Sequence, residues 1–219
     1  MKILLNDIIQ YSDAPDELKS PALADFYYFN NELVINLDKQ YPINSIGLGN
    51  LDKNSQITVL LNNETFIINY EDNGLYLLLN TVITNKITIN TTSLKIGRFA
   101  AGFACDIPTA VMKEPGWGST AVPRTTLSGQ VIAGRGGYNY RTLSLDSRYK
   151  ITKDTVNELE AGQKYIGMGY PFFLNLEVEN YKIPYKRFYG IEKNQQNMIL
   201  QSGVRKFLYS FKFDFEERF

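Results

Sequence analysis

Histidine is absent from this chain of 219 residues, and cysteine and tryptophan each occur once. Without histidine the chain lacks the side chain that most often serves as general base and metal ligand near neutral pH. The lone Cys105 excludes an intrachain disulfide and, within one chain, a cysteine-rich zinc site. Charge of one sign is also missing: Lys+Arg and Asp+Glu both total 23, for a formal net charge of zero. No global field draws the chain to nucleic acid or to an anionic membrane. No run of about 18 apolar residues, the length of a membrane helix, is present. The opening Met1-Lys2-Ile3-Leu4-Leu5 stretch breaks at Asn6 and Asp7, too soon for a secretory h-region, which points to an intracellular product.

What remains is ordinary globular material, 44% hydrophobic and 21% charged. It is large enough to bury a real core through packing and sheet hydrogen bonds alone. Residues 1–25 read as an irregular N-terminal arm, in which Pro15 and Pro21 leave room for one helical turn at most. Residues 26–97 read as consecutive short strands. Phe26-Tyr27-Tyr28-Phe29 and Glu32 to Leu37 form a hairpin pattern about Asn30-Asn31. Ile57 to Leu61 and Thr65 to Ile68 form another about Asn62-Asn63, since asparagine tolerates the positive φ of a tight turn. Asp72-Asn73-Gly74 leads into Leu75 to Leu79, and further short strands follow to Gly97. Strands of about five residues with turn signals every 8–12 residues indicate a mainly β fold, an antiparallel β-sandwich of jelly-roll type.

Residues 98–124 read as a connecting or interface loop, rich in small residues and prolines. Residues 125–219 read as a second β unit that packs on or completes the first. It carries one short helix near 153–161, marked by Thr155 and Glu158 as a capping box. Its end, Lys206 to Phe219, alternates aromatic and polar residues as a strand with one buried face does. Phe207, Phe211, Phe213, Phe215 and Phe219 fall on one side of that alternation.

Candidate chemistry is sparse. Gly134-Arg135-Gly136-Gly137 lacks the GK[ST] and the helix of a phosphate loop and reads as a hairpin turn. Arg124, Arg135, Arg141, Arg148 and Lys150 with nearby tyrosines outline a basic aromatic stretch, but strand alternation spreads them over two faces. Paired carboxylates occur at Glu158/Glu160, Glu177/Glu179 and Glu216/Glu217; Glu177 and Glu179 would share a strand face as a glycosidase pair does, but exposed strand edges look the same. Cys105, in an apolar stretch with no histidine to activate it, reads as inert and buried. The reading is therefore of a non-enzymatic chain with no catalytic, metal or cofactor residue. Trp117, between two glycines, is either a ring that plugs its loop onto the sheet or an interface anchor. Trp117, Arg135, Phe215 and Phe219 are the candidate interface residues. Tyrosine (15) and phenylalanine (13) are abundant, and a few exposed tyrosines suit stacking on sugars.

Residues 33–50, from Leu33-Val34-Ile35-Asn36-Leu37-Asp38 to Ile46-Gly47-Leu48-Gly49-Asn50, resemble the discoidin or galactose-binding-like jelly roll. Leu75 to Leu79 through Ile96-Gly97-Arg98-Phe99-Ala100-Ala101-Gly102 is similar to the closing strands of such domains in tailed-phage structural proteins. Leu127-Ser128-Gly129-Gln130, Gly136-Gly137-Tyr138 and Gly169-Tyr170-Pro171-Phe172-Phe173 are similar to small phage tail and connector proteins. The resemblance implies the fold and a virion role in a tail or neck, through contacts with other virion structural proteins in a homo-oligomeric ring. It places no ligand site. The alternative is a lectin-like module for a host-surface glycan, which should present clustered exposed aromatics and polar side chains on the sandwich loops.

Overall fold

The computed structural model describes residues 2–4, 6–29, 32–106, 111–112, 116–119, 124–125, 131–132, 139–151, 157, 171–176, 187–192, 199–203 and 206–217. The fold is mainly β, with antiparallel sheets and one α-helical turn among the described residues. One sheet has five strands in the order β5-β4-β6-β3-β8: β3 is Glu32–Gly49, β4 Gln56–Leu61, β5 Glu64–Asn69, β6 Gly74–Thr91 and β8 Arg98–Gly102. A small two-stranded sheet pairs β2 (Tyr27–Tyr28) with β7 (Lys95–Ile96).

The sheet departs from the expected run of short strands, because β3 and β6 are each 18 residues long and pair along almost their whole length. The asparagines and threonines at 80–85, where the expected short strands would break, lie within β6. Cross-strand pairing has overridden their local preference. The turns are replaced by two opposed bulges. Four residues of β3 between Asn36 and Tyr41 face one residue of β6, and four residues of β6 between Val82 and Leu77 face one of β3. These irregularities bend the ribbon, so Ile35, Ile87 and Ile89 at one end and Ile43, Ile46 and Leu48 at the other join a single core. The expected hairpin of 26–29 on 32–37 is also replaced: Tyr27 and Tyr28 pair with Ile96 and Lys95, and Asn30-Asn31 lies outside the described residues. The hairpin at Asn62-Asn63 is present, with Leu61 opposite Glu64 and positive φ at Asn62.

The N-terminal arm packs against β3 and β8 of this sheet. Ile8 and Ile9 on a 3-10 turn (Ile8–Tyr11), Ala14, and Leu18 on α1 (Asp16–Lys19) all enter that core. The arm also begins in a second, nine-stranded sheet. There β1 (Lys2–Leu4) lies between β15 (Phe172–Asn175) and β9 (Cys105–Asp106), followed outward from β15 by β16 (Arg187–Glu192), β18 (Lys206–Glu217), β14 (Asn139–Ile151) and β10 (Val111–Met112). Two more strands join off this path: β11 (Gly116–Ser119) on β14 and β17 (Ile199–Gly203) on β18. A short pair, β12 (Arg124–Thr125) and β13 (Val131–Ile132), stands apart. Residues 98–124, expected to be a loop, thus supply strands to both large sheets. The reason is legible afterwards: Ala100, Ala101 and Gly102 are small because β8 is buried on both faces. The expected helix near 153–161 lies outside the described residues except for Asn157.

The two large sheets meet through large side chains packed against small ones. Leu4, Leu23, Leu75, Ala100, Ala104, Phe173 and Tyr189 form the second core. Gly47 is needed there, since a methyl on its Cα would stand 2.7 Å from two carbons of the Phe173 ring. Gly74, at φ +150°, lets the start of β6 pass under β16, where a side chain would meet Arg187 and the Phe188 nitrogen.

Candidate functional site

The run Phe26-Tyr27-Tyr28-Phe29 is extended, so successive rings point to opposite sides. Tyr27 and Phe29 pack edge-to-face at 5.9 Å against the first core. Phe26 and Tyr28 face the other way, into an open cleft of about 640 Å³ that Asp16, Glu17, Ser20, Ala24 and Asp25 also line. Tyr28 is 72% exposed. Lys95, opposite Tyr28 on β7, sets its ammonium 4.2 Å from the Phe26 ring centroid, a cation–π contact that leaves the Tyr28 ring open.

The cleft wall is held by buried groups. Leu18 anchors α1 in the core, which turns Asp16 and Glu17 outward. The fully buried Arg98 donates to the carbonyls of Leu18 (3.1 Å) and Ser20 (3.3 Å) and pairs with Asp7. Burial pushes the Asp7 carboxyl above its usual range, against the pull of the Arg98 charge and of the N–H groups of Ile9 and Ala101. Beyond α1, the Ser20 hydroxyl donates to Asp25 and accepts from the Ala22 N–H at 3.2 Å. The Tyr189 hydroxyl donates to the Pro21 carbonyl at 2.7 Å, and Asn50 to the Leu23 carbonyl at 2.9 Å. The wall is therefore fixed before any ligand arrives, which lowers the entropy cost of binding. Its three carboxylates accept hydrogen bonds and its two rings offer apolar faces. That combination suits a ligand with hydroxyl or ammonium donors around an apolar patch, and it repels anions.

A second polar cluster is structural in form. The Arg141 guanidinium binds Glu217 through Nε at 2.7 Å and Asp72 through a terminal nitrogen at 2.8 Å, and its backbone N–H also reaches Glu217 at 3.1 Å. Burial works against the Arg141 charge, but Glu217 and then Asp72 outweigh it and raise its pKa. Arg187 lies 4.1 Å over the Tyr76 ring and pairs with Glu71 at 2.7 Å. Burial pushes the Tyr70 hydroxyl up to about 12, and that group bonds Asn73 at 2.6 Å. Together these contacts latch the 70–76 turn of the first sheet onto β14, β16 and β18.

None of the residues singled out in the sequence falls in the cleft. Trp117 sits on β11 with its backbone opposite Arg141, and Phe215 on β18 opposite Leu143 and Glu192. Arg135 and Phe219 lie outside the described residues, as do Glu158, Glu160, Glu177 and Glu179. Glu217 is buried on Arg141, so the acid pair at 216–217 does not lie open, and Arg141 of the basic aromatic stretch is bound to it. Cys105 is buried beside Ile3. Sequence reasoning missed Asp16, Glu17, Ser20, Asp25, Phe26 and Tyr28. The available signal was parity: four aromatics in extended chain must turn two outward, next to an acidic stretch bounded by prolines. Among the described residues no acidic or cysteine cluster is arranged to hold a metal ion, and no helix is long and apolar enough to cross a membrane.

No protein-family model matches this chain. No curated protein matches it either. Among solved structures it is similar to a chain described as "CpGH89CBM32-6 produced by Clostridium perfringens", at 13% identity and a TM-score of 0.34, over 44% of this chain and 98% of that one. A likeness of that size decides nothing about what this chain binds.

Proposed function

We propose that this chain is a non-catalytic carbohydrate-binding module whose site is the cleft at 16–28. The observation that carries the reading is the outward pair Phe26 and Tyr28 set beside Asp16, Glu17 and Asp25 on a pre-fixed wall. A sugar ring has an apolar C–H face and a rim of hydroxyl donors. Tyr28 supplies the surface for the first, and the carboxylates accept from the second. The same carboxylates disfavour uronic or sialic acids and favour neutral or amino sugars. Ser20 is committed to Asp25 and the Ala22 N–H, and so serves the turn and not a reaction. The test is a glycan array followed by calorimetry on the best hit. Tyr28→Ala should weaken binding roughly tenfold or more, about 1.4 kcal/mol, with an unchanged melting curve. Failure to bind any neutral or amino glycan, or binding indifferent to Tyr28→Ala, rejects the reading.

A second reading, a tail or neck subunit of a bacteriophage particle, is favoured by exposed aliphatic groups on the first sheet. Leu79 at the β6 bulge is 96% exposed, and Ile83 and Ile67 are also open. In that reading these residues meet other virion proteins, and Leu79→Asp should abolish incorporation into particles while leaving the isolated chain folded.

A further inference from the structure

We propose that the chain pairs with a second copy of itself through the open edge of β5, joining two five-stranded sheets into one continuous sheet about a two-fold axis at Ile67. The inference is independent of the glycan reading, because β5 contributes nothing to the cleft.

The hydrogen-bond parity of β5 is fixed by its turn. A two-residue loop closes on a pair that exchanges both backbone bonds, here Leu61 and Glu64, and such pairs then recur at every second residue. Glu64, Phe66 and Ile68 therefore direct their backbone groups to β4. The Tyr70 N–H, donating to the Ser55 carbonyl at 2.9 Å, continues the same series. Thr65, Ile67 and Asn69 must direct theirs away from the sheet. Among the described residues β5 pairs only with β4, and all three are exposed. The opposite edge of the sheet, β8, is buried along its whole length.

Open edges normally carry lysine, proline or a bulge against unwanted pairing. β5 carries none of these: its sequence is Glu-Thr-Phe-Ile-Ile-Asn, with one charge at the turn end. The strand is also self-complementary. Antiparallel pairing through the free groups must set odd residues against odd. A dyad at Ile67 places Ile67 opposite Ile67 of the second copy and Thr65 opposite Asn69 twice, which uses every free backbone group of the strand. The same register sets Phe66 beside Ile68 on the inner face and Glu64 beside Tyr70, so no like charges meet. A dyad at any other residue from Thr65 to Asn69 sets a free residue of one strand past the end of the other and leaves its groups unpaired. Neutrality and self-complementarity favour a second copy over a charged or unrelated partner.

The test is the mass of the full chain in solution by sedimentation equilibrium or light scattering across a concentration series. Wild type should reach twice the 25.0 kDa chain mass. Ile67 is 63% exposed, so Ile67→Lys and Ile67→Glu should each keep the melting curve yet remain monomeric, because like charges would face each other at the dyad. An equal mixture of the two should recover the dimer, since lysine then faces glutamate. Thr58→Lys, on the same sheet face but on β4, should dimerise as wild type does. Wild type that stays monomeric up to about 0.1 mM overturns the proposal. So does an Ile67→Lys dimer, or a mixture of folded Lys and Glu variants that stays monomeric.

Discussion

The two long strands β3 and β6 run through two environments. Toward Glu32 and Thr91 they alternate: Ile35, Leu37, Ile87 and Ile89 are buried, while Glu32, Asn36, Lys86 and Asn90 face water. Toward Gly49 and Gly74 almost every residue is buried, and the neighbouring β8 is buried throughout. One half is the outer layer of a sandwich, and the other is a middle layer between the first core and the nine-stranded sheet. The bulges mark the passage from one to the other. The difference teaches that substitution costs should depend on which half a residue occupies more than on its type.

The largest contrast concerns charge. At the buried pair, Arg98→Met leaves the Asp7 carboxyl and the Leu18 and Ser20 carbonyls without their buried donor, at a cost of about 3–5 kcal/mol. In the exposed partner pair, Glu71→Gln releases Arg187 at a cost of less than about 1 kcal/mol, because Glu71 is 70% exposed. Urea unfolding of both variants measures the gap, and equal losses would remove the distinction between a buried ion pair and one with an exposed acid. A pH consequence follows for Asp7. Burial raises its folded pKa above 3.8, so the native state holds this proton more tightly than the unfolded chain. Its contribution to stability therefore falls as pH rises from 3.8 through the folded value.

The next contrast concerns volume. Gly47→Val drives a side chain into the buried Phe173 ring, an overpacking cost of about 2–3 kcal/mol. Thr58→Val on the open face of β4 should change stability by less than about 0.5 kcal/mol. Thermal melts separate the two, and a tolerated Gly47→Val would mean that the sheets do not meet at this point. The Asn62-Asn63 turn of the wet half gives an intermediate case. Asn62 has φ +52° and bonds the Ile83 carbonyl at 2.7 Å and the Thr84 hydroxyl at 2.9 Å. Asn62→Val should cost about 1–2 kcal/mol, and Asn63→Val, at ordinary φ, much less.

The same division explains what could be read from the sequence. The Asn62-Asn63 hairpin, the single turn between Pro15 and Pro21, and the terminal β18 were legible because local chemistry specifies them. The long ribbon was not, because Asn80 and Asn85 mark turns only where no partner strand claims them. Pairing of Lys2 with Asn175 and Asp106 joins distant segments, and neither carries a local mark of its partner. The cleft was hidden for the same reason. Asp16, Asp25 and Tyr28 belong to three short segments, and their common orientation comes from Leu18, Arg98 and Tyr189 beneath them.

The smallest expected effect tests how the arm is tied to the wet half. Asp13 accepts the Asn36 backbone N–H at 2.7 Å and the Asn36 side-chain amide at 2.7 Å. It does so where β3 enters its bulge, beside the isolated bridge between Ser12 and Leu37. Those two bonds hold the Asp13 carboxyl below its usual range, chiefly the one from the Asn36 side chain. A lowered folded pKa means the carboxylate stabilises the native state above the ordinary 3.8, and this is lost as pH falls through the folded value. Asp13→Asn should therefore cost less than about 1 kcal/mol at neutral pH, since the site is exposed and screened. The difference from wild type should shrink as the pH is taken below 3.8. Asp7 gives the opposite slope, so the two carboxylates can be told apart in one titration of unfolding midpoints. A difference between wild type and Asp13→Asn that stays constant with pH would show that the two bonds do not depend on the charge.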